Sequence, residues 1–228
     1  MNVSTNEKGN IGMIALVMVV GLVLGFAGGK VMNSNKTKTT SNATVTSATK
    51  AADLRADLVT LGLEHMTLTD QAIDETLDGS PGASASAAAL YANGNTLGAT
   101  VGTVYGADAE KTFDAVWKLH LDQFVNYAVA ASKGDDAGKK AALDAIDTGY
   151  TKPLSQYLAK ANPNLPEATL ETVLGDHVTQ TAGIIDDHVA KDYTKEQTDL
   201  TAANKHIEGI FSTLAGAIVT QYPAKFQD

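Results

Sequence analysis

Apolar residues recur at intervals of three and four along residues 51–228, and this spacing predicts α-helices. No stretch longer than about five residues alternates between apolar and polar positions as a half-buried strand would. Stop signals divide the pattern into six segments joined by short loops, which are typical of antiparallel neighbours. The sequence therefore predicts an all-α fold, an up-down helical bundle of about six helices.

The six predicted helices form three hairpins with similar patterns. His65, His120 and His177 align when the hairpins are superposed, with separations of 55 and 57 residues, and apolar residues share the flanking positions. Chance similarity between amphipathic helices is the alternative to a true repeat. The predicted hairpin repeats cover about residues 51–106, 107–163 and 164–228.

Helix ends are predicted from capping residues. Asp53 and Asp108 lie twelve residues before the first two histidines, Asn164 lies one place out of register in the third copy, and all three are predicted N-caps. Gly79 and Gly134 are predicted to end the first helices of the first two hairpins. The second helices are predicted over about residues 83–105, 136–160 and 194–221.

The longest apolar segment lies near the N-terminus. Residues 11–27 are apolar or glycine without interruption, and residues 28–32 extend the segment to about the length that crosses a bilayer as a helix. The sequence predicts one N-terminal transmembrane helix over residues 11–32, preceded by a short tail of residues 1–10. A signal peptide is the alternative, because Gly25-Phe26-Ala27 offers a small-x-small cleavage site.

A Ser/Thr/Asn-rich linker, residues 33–50, separates the apolar segment from the helical domain. Three lysines follow the apolar segment and only Lys8 precedes it, so the positive-inside rule favours a cytoplasmic domain. The linker favours the opposite orientation, because such tethers space surface domains from membranes. We expect a single-pass protein of the cell membrane whose domain, residues 51–228, is extracytoplasmic.

The composition and charge of the chain exclude several classes of site and partner. The chain of 228 residues contains no cysteine, which excludes disulfides, thiolate catalysis and cysteine-ligated metal sites. Its net charge is −9, and the residues after position 40 carry −12, so nucleic acid is not an expected partner. Nucleophile-elbow, phosphate-loop and dinucleotide motifs are absent from the sequence, and we predict that the protein is not an enzyme.

Four histidines are the candidate metal ligands. His65, His120 and His177 each lie about twelve residues into predicted parallel helices, and His206 has the same depth in the sixth helix. Imidazole is a common ligand of copper, zinc and iron, so a closed bundle would make these histidines a transition-metal site. An open array would hold them apart. The alternative is that each histidine fills space on an apolar face.

The densest acidic cluster around a histidine is Asp186-Asp187-His188, with Asp192 one turn later. It lies near a predicted helix end and contains no Glu-x-x-His pattern of the carboxylate-bridged iron proteins. A solvated calcium ion is one interpretation, and the absence of any site is the other.

Three glycines, Gly94, Gly98 and Gly102, follow one another at intervals of four residues in the second predicted helix. Glycine costs about 1 kcal/mol relative to alanine inside a helix, so three glycines on one face of the helix, a glycine ridge, indicate a structural or functional requirement. Close approach of a neighbouring helix, the one that carries Trp117, is the predicted reason. Admission of a ligand is the alternative.

Two functional hypotheses follow. The first is a membrane-anchored extracytoplasmic module with a non-catalytic binding or structural role, whose partner would be a protein or a component of the cell envelope. The second is a module that binds a transition metal or haem through the histidine layer. The arrangement of the histidines distinguishes them.

Overall fold

In the computed structural model of this protein, residues 48–227 are described, and they are almost entirely helical. The predicted all-α fold is therefore confirmed for this part of the chain. The predicted transmembrane segment, residues 11–32, and nearly all of the linker, residues 33–50, lie outside the described residues. The α-helices are α1 (Lys50–Leu77), α2 (Ala83–Tyr105), α3 (Ala107–Ser132), α4 (Asp136–Ile146), α5 (Lys152–Ala161), α6 (Glu167–Ala190) and α7 (Tyr193–Gln221).

A π-helical turn, Asp147–Thr151, joins α4 to α5, so the two form one continuous rod. The described residues thus contain six rods, as the sequence predicts, and a short 3₁₀ turn at Pro223–Lys225 follows the last one. Among the helices of residues 48–227, none combines the length and the apolar character that crossing a membrane requires.

The six rods form a closed ring. Each rod packs against the next along the chain, and α7 returns to pack against α1. Across the ring, α1, α3 and α6 contact one another, and these are the first helices of the three predicted hairpins. The core is therefore continuous, and the closed arrangement brings the histidine-bearing helices together.

The predicted helix ends are confirmed at two glycines. Gly79 and Gly134 follow α1 and α3 with φ of 68° and 65°, a conformation that L side chains rarely adopt. No glycine directly follows α6. Lys191 takes the left-handed conformation there, with φ of 60°.

The predicted N-caps are wrong. Thr49 caps α1 by accepting a hydrogen bond from the Ala52 amide, which places Asp53 in the first turn rather than at the cap. Asp108 likewise lies in the first turn of α3, where its negative charge interacts favourably with the positive end of the helix dipole. Asn164 precedes Pro166, whose fixed φ starts α6.

The glycine ridge of α2 packs against α3, as predicted. A Cβ built at Gly94 would lie 2.7 Å from Cδ1 of Trp117, closer than real Cβ contacts. Gly98 and Gly102 face other α3 side chains in the same way. The missing side chains therefore let α3 approach α2 and hold Trp117 against the backbone.

The π turn has a local cause and an effect on the core. Pro153 lies in the first turn of α5 and has no amide hydrogen, so a regular α-helical ladder cannot continue through it. The wider turn buries Tyr150, which is 1% exposed, and points it toward α3. Turns of this kind are frequent at functional sites.

Candidate metal centre

His65 of α1, His120 of α3 and His177 of α6 meet at the centre of the ring. Their exposed fractions are 1%, 0% and 1%. One ring nitrogen from each lies within 4.8 Å of the other two. The ring centroid of His65 is 5.7 Å from that of His120 and 6.0 Å from that of His177.

Each histidine occupies the middle of an apolar stripe on its helix. Residues seven positions before and after it are buried, a spacing of about two helical turns that keeps all three on the inner face. The stripes are Leu58, His65 and Ala72; Phe113, His120 and Tyr127; and Leu170, His177 and Ile184. The same pattern in three helices explains why the histidines reach one height.

Aromatic rings surround two of the histidines. The Trp117 ring centroid lies 4.9 Å from that of His65 and 4.7 Å from that of His120. Tyr150, placed by the π turn, stacks on His120 at 4.2 Å with an interplanar angle of 21°. These contacts restrict the rotation of the imidazole rings and exclude water from one side of the cluster.

Five of the six ring nitrogens of the three histidines are buried without a hydrogen bond to the described residues. Within residues 48–227, both ring nitrogens of His120, both of His177 and Nδ1 of His65 are buried without a partner of acceptable geometry. Most buried polar atoms in proteins are hydrogen-bonded, and each exception needs an explanation. A neutral imidazole carries one lone pair and one N–H, so each of the three rings can direct one unshared lone pair into the cluster, which is what a metal ion requires.

Burial keeps the three imidazoles neutral. Burial, with a smaller contribution from His177, lowers the pKa of His65 to about 3, and burial, with a smaller contribution from His206, lowers the pKa of His177 to about 4. The pKa of His120 falls well below its usual value, first through burial and then through His65 and His177, with the Trp117 backbone acting weakly in the opposite direction. At neutral pH each ring therefore offers a lone pair.

A small cavity adjoins the three rings. Its volume is about 40 Å³, and a water molecule needs about 10–15 Å³ on this measure. Thr69 and Thr181 also line it, and each donates its hydroxyl to the carbonyl of the histidine four residues earlier, at 2.8 and 3.0 Å. The cavity can hold an ion with one small additional ligand.

His206 lies outside this cluster. Its Nε2 donates to the Val173 carbonyl at 2.8 Å, across the contact between α7 and α6. Depth along a helix, which suggested its inclusion, does not determine the direction in which the side chain points. The structure thus brings together three of the four predicted ligands.

A second cluster forms around His188 at the end of α6. Its Nδ1 lies 2.9 Å from Asp74 Oδ1 and 3.4 Å from Glu196 Oε2, and its Nε2 lies 3.3 Å from Asp78 Oδ1. The acidic residues near His188 in sequence point elsewhere. Asp186 pairs with Lys139, Asp187 pairs with Lys195, and Asp192 caps α7.

Sequence reasoning missed this second cluster because its carboxylates come from other helices. Asp74 and Asp78 lie on and just after α1, more than a hundred residues before His188. The signal that could have indicated it is the placement of Asp70, Asp74 and Asp78 at intervals of four along one face of the helix.

No family model, curated protein or solved structure matches the chain.

Proposed function

We propose that the helical domain binds a transition-metal ion through His65, His120 and His177. The observation that carries this proposal is the convergence of three buried imidazoles from three helices, with one nitrogen of each within 4.8 Å of the others and five of the six ring nitrogens buried without a hydrogen-bond partner among residues 48–227. Space-filling histidines would each be expected to reach a carbonyl or a side chain, as His206 does.

The donor set favours copper or zinc. Neutral imidazole suits copper, zinc, iron and nickel, whereas calcium and magnesium prefer oxygen ligands. The cluster within residues 48–227 contains no carboxylate, so a bare dication would lie uncompensated in a dry site. Cu⁺ carries less charge, and Zn²⁺ reduces its own by holding hydroxide in the adjoining cavity.

Metal binding would contract the cluster. Ligand distances of about 2.1 Å in tetrahedral geometry place nitrogens about 3.4 Å apart, compared with separations of up to 4.8 Å among the three nitrogens. Small shifts of the three side chains would supply this change. A cavity of about 40 Å³ has no room for a porphyrin, so the geometry favours a single ion over haem.

The direct test is metal analysis of the full chain, purified in detergent and dialysed. We expect the central site to retain or titrate one equivalent of copper or zinc, and His120→Phe, which keeps a ring beside Tyr150, to lose that equivalent. His206→Gln is the matched control and should bind normally. If the wild-type chain neither retains nor titrates either metal, the cluster is structural and the proposal fails.

We further propose that this module is held at the cell membrane by residues 11–32 and spaced from it by residues 33–50, on the extracytoplasmic side, in a non-catalytic role. The apolar segment and the polar linker support this placement. Protease added to intact cells should remove the domain. Protection in intact cells with digestion after lysis would reverse the orientation. A protein or envelope partner stays a prediction from the same two features.

A further inference from the structure

The second cluster joins three helices at one end of the ring. Asp74 comes from α1, His188 from the last turn of α6, and Glu196 from the first turn of α7. One ligand atom from each lies within 4.8 Å of the other two. This cluster has no residue in common with the cluster of His65, His120 and His177.

Two carboxylate oxygens in this cluster are buried without hydrogen bonds. Glu196 is 2% exposed, and its Oε2 has no hydrogen-bond partner among residues 48–227. Asp74 Oδ1 lies 2.9 Å from His188 Nδ1 but is not aligned for a hydrogen bond. A buried carboxylate oxygen without a donor is costly, and here two of them face one imidazole nitrogen.

The surrounding charges do not compensate the carboxylates. Asp70 adds a third carboxylate from α1, and its Oδ1 is also buried without a hydrogen bond within the described residues. Lys195, which is adjacent to Glu196 in sequence, pairs instead with Asp187 and Asp199 at 2.8 and 2.7 Å. Among the described ion pairs, His188 is the only basic side chain that contacts Asp74 or Glu196.

His188 is oriented as a metal ligand would be. Its Nδ1 faces Asp74 and Glu196, while its Nε2 contacts Asp78 at 3.3 Å. In metal sites a ligating histidine almost always gives its second ring N–H to a carboxylate, a carbonyl or water, which fixes the tautomer. Both ring nitrogens of His188 contact carboxylates in this structure, Nδ1 with Glu196 Oε1 at 3.4 Å and Nε2 with Asp78 Oδ1 at 3.3 Å. With a metal ion between Nδ1 and the carboxylates of Asp74 and Glu196, Asp78 would accept the remaining ring N–H and leave the Nδ1 lone pair for the ion.

We propose that Asp74, His188 and Glu196 form a second metal site, which takes a divalent first-row cation of the Mn²⁺ type, and that Asp78 positions His188. Two carboxylates and one imidazole form a harder donor set than three imidazoles, so the two sites differ in preference. A dication would also replace the missing positive charge. The site would fasten the α6–α7 hairpin to α1.

Mn²⁺ titration of the full chain, followed by loss of the free-ion EPR signal, tests this site separately from the first. We expect one bound Mn²⁺ per chain. Glu196→Gln should weaken binding at least a hundredfold, and Asp78→Asn should weaken it about tenfold, as the loss of an orienting hydrogen bond does. Asp199→Asn, which alters a surface ion pair on the same helix, is the control and should leave binding unchanged.

His120→Phe should keep its Mn²⁺ site, so failure of the first proposal and failure of this one are distinguishable. Circular dichroism and the melting temperature of each variant verify folding, and if Glu196→Gln does not fold, the Asp78→Asn result decides. Absence of stoichiometric Mn²⁺ binding by the folded wild-type chain would overturn the proposal. Equal affinity in folded Glu196→Gln and wild type would overturn it as well.

Discussion

At the residue scale, the same imidazole is used in two opposite ways. His65, His120 and His177 are surrounded by apolar and aromatic groups, which lower their pKa values. His188 is surrounded by carboxylates, and Asp74 and Asp78 raise its pKa against the effect of burial. Environment rather than residue type thus sets the pKa, so the three central histidines offer lone pairs at neutral pH, whereas His188 favours a proton that a bound metal ion would displace.

Because the central histidines are neutral in the folded domain, we expect the domain to lose stability in acid. In the unfolded chain each takes up a proton near pH 6.5, whereas in the folded domain His120 stays neutral far below that pH, so stability is lost as the pH falls below about 6.5. His120→Phe removes one such group. When the pH is lowered from 7 to 5, the unfolding free energy of His120→Phe should therefore rise by about 2 kcal/mol relative to that of the wild type.

Urea denaturation of both metal-free proteins at the two pH values measures this difference. His206→Gln is the control, because His206 lies outside the cluster and hydrogen-bonds to Val173. An unchanged gap between His120→Phe and wild type would contradict the neutral assignment.

Asp70 predicts the opposite pH dependence. Burial, with Glu196 nearby, raises the pKa of this carboxyl to about 6, so the folded state binds a proton that the unfolded state releases near pH 4. Its favourable contribution is present at low pH and is lost as the pH rises through about 6. Metal-free Asp70→Asn should therefore gain stability relative to wild type on going from pH 4.5 to pH 8.

We expect this gain to be about 1 kcal/mol, a value reduced for the partial exposure of the side chain. Melting temperatures of the two proteins in EDTA across that pH range measure it. A gain in the acidic direction instead would show that the carboxylate is stabilised by His188 rather than destabilised by burial.

At the element scale, the close packing of α2 on α3 and the π turn position the aromatic groups beside the histidines. Gly94 gives room to Trp117, which contacts His65 and His120. The turn at Asp147–Thr151 brings Tyr150 onto His120 from the other side. Two backbone irregularities, a glycine ridge and a widened turn, thus fix the shape of the central cluster.

Gly94→Ala should be destabilising even though alanine favours helices. The added Cβ would lie 2.7 Å from Trp117 Cδ1, and overpacking of this kind costs about 1–3 kcal/mol. Gly175→Ala on α6 is the matched control, since its Cβ meets nothing within 4 Å, and it should stabilise by up to about 1 kcal/mol. Urea denaturation compares them, and equal effects would contradict the packing argument.

At the scale of the whole molecule, closure of the ring brings the three aligned histidines together. The periodicity predicts the helices well, and α2 has the predicted bounds, Ala83–Tyr105. It also places the histidines on inner faces, but the face of a helix does not determine its neighbours. The contact of α7 with α1, and hence the convergence at His65, depends on packing among residues far apart in sequence.

The same limit explains what sequence reasoning did not find. Helix starts were misassigned because Asp53 and Asp108 are favourable in a first turn as well as at a cap. The cluster of Asp74, His188 and Glu196 needs the α6–α7 hairpin to fold back on α1, and no local pattern reports that contact.

Because the three histidines come from three separate hairpins, metal binding should stabilise the entire domain. A ligand bound only by the folded state adds about 2.7 kcal/mol at a free concentration of 100 times its Kd. The melting temperature should therefore rise with Zn²⁺ in the wild-type chain at concentrations that saturate the central site. His120→Phe should lose that part of the rise, while His206→Gln keeps it. An equal rise in His120→Phe and wild type would place the stabilising ion elsewhere.

Two helices of the ring are common to both clusters. His65 and Asp74 are nine residues apart on α1, and His177 and His188 are eleven residues apart on α6, so about 13–17 Å of shared helix separates the two proposed ions. An ion that rotates or shifts these helices at one end also changes the positions of the ligand side chains at the other end. The two ions should therefore bind cooperatively, and thermodynamic reciprocity requires each to alter the affinity of the other by the same factor. Mn²⁺ titration with the central site filled and with it empty would give that factor, and identical curves would show that the two ends act independently.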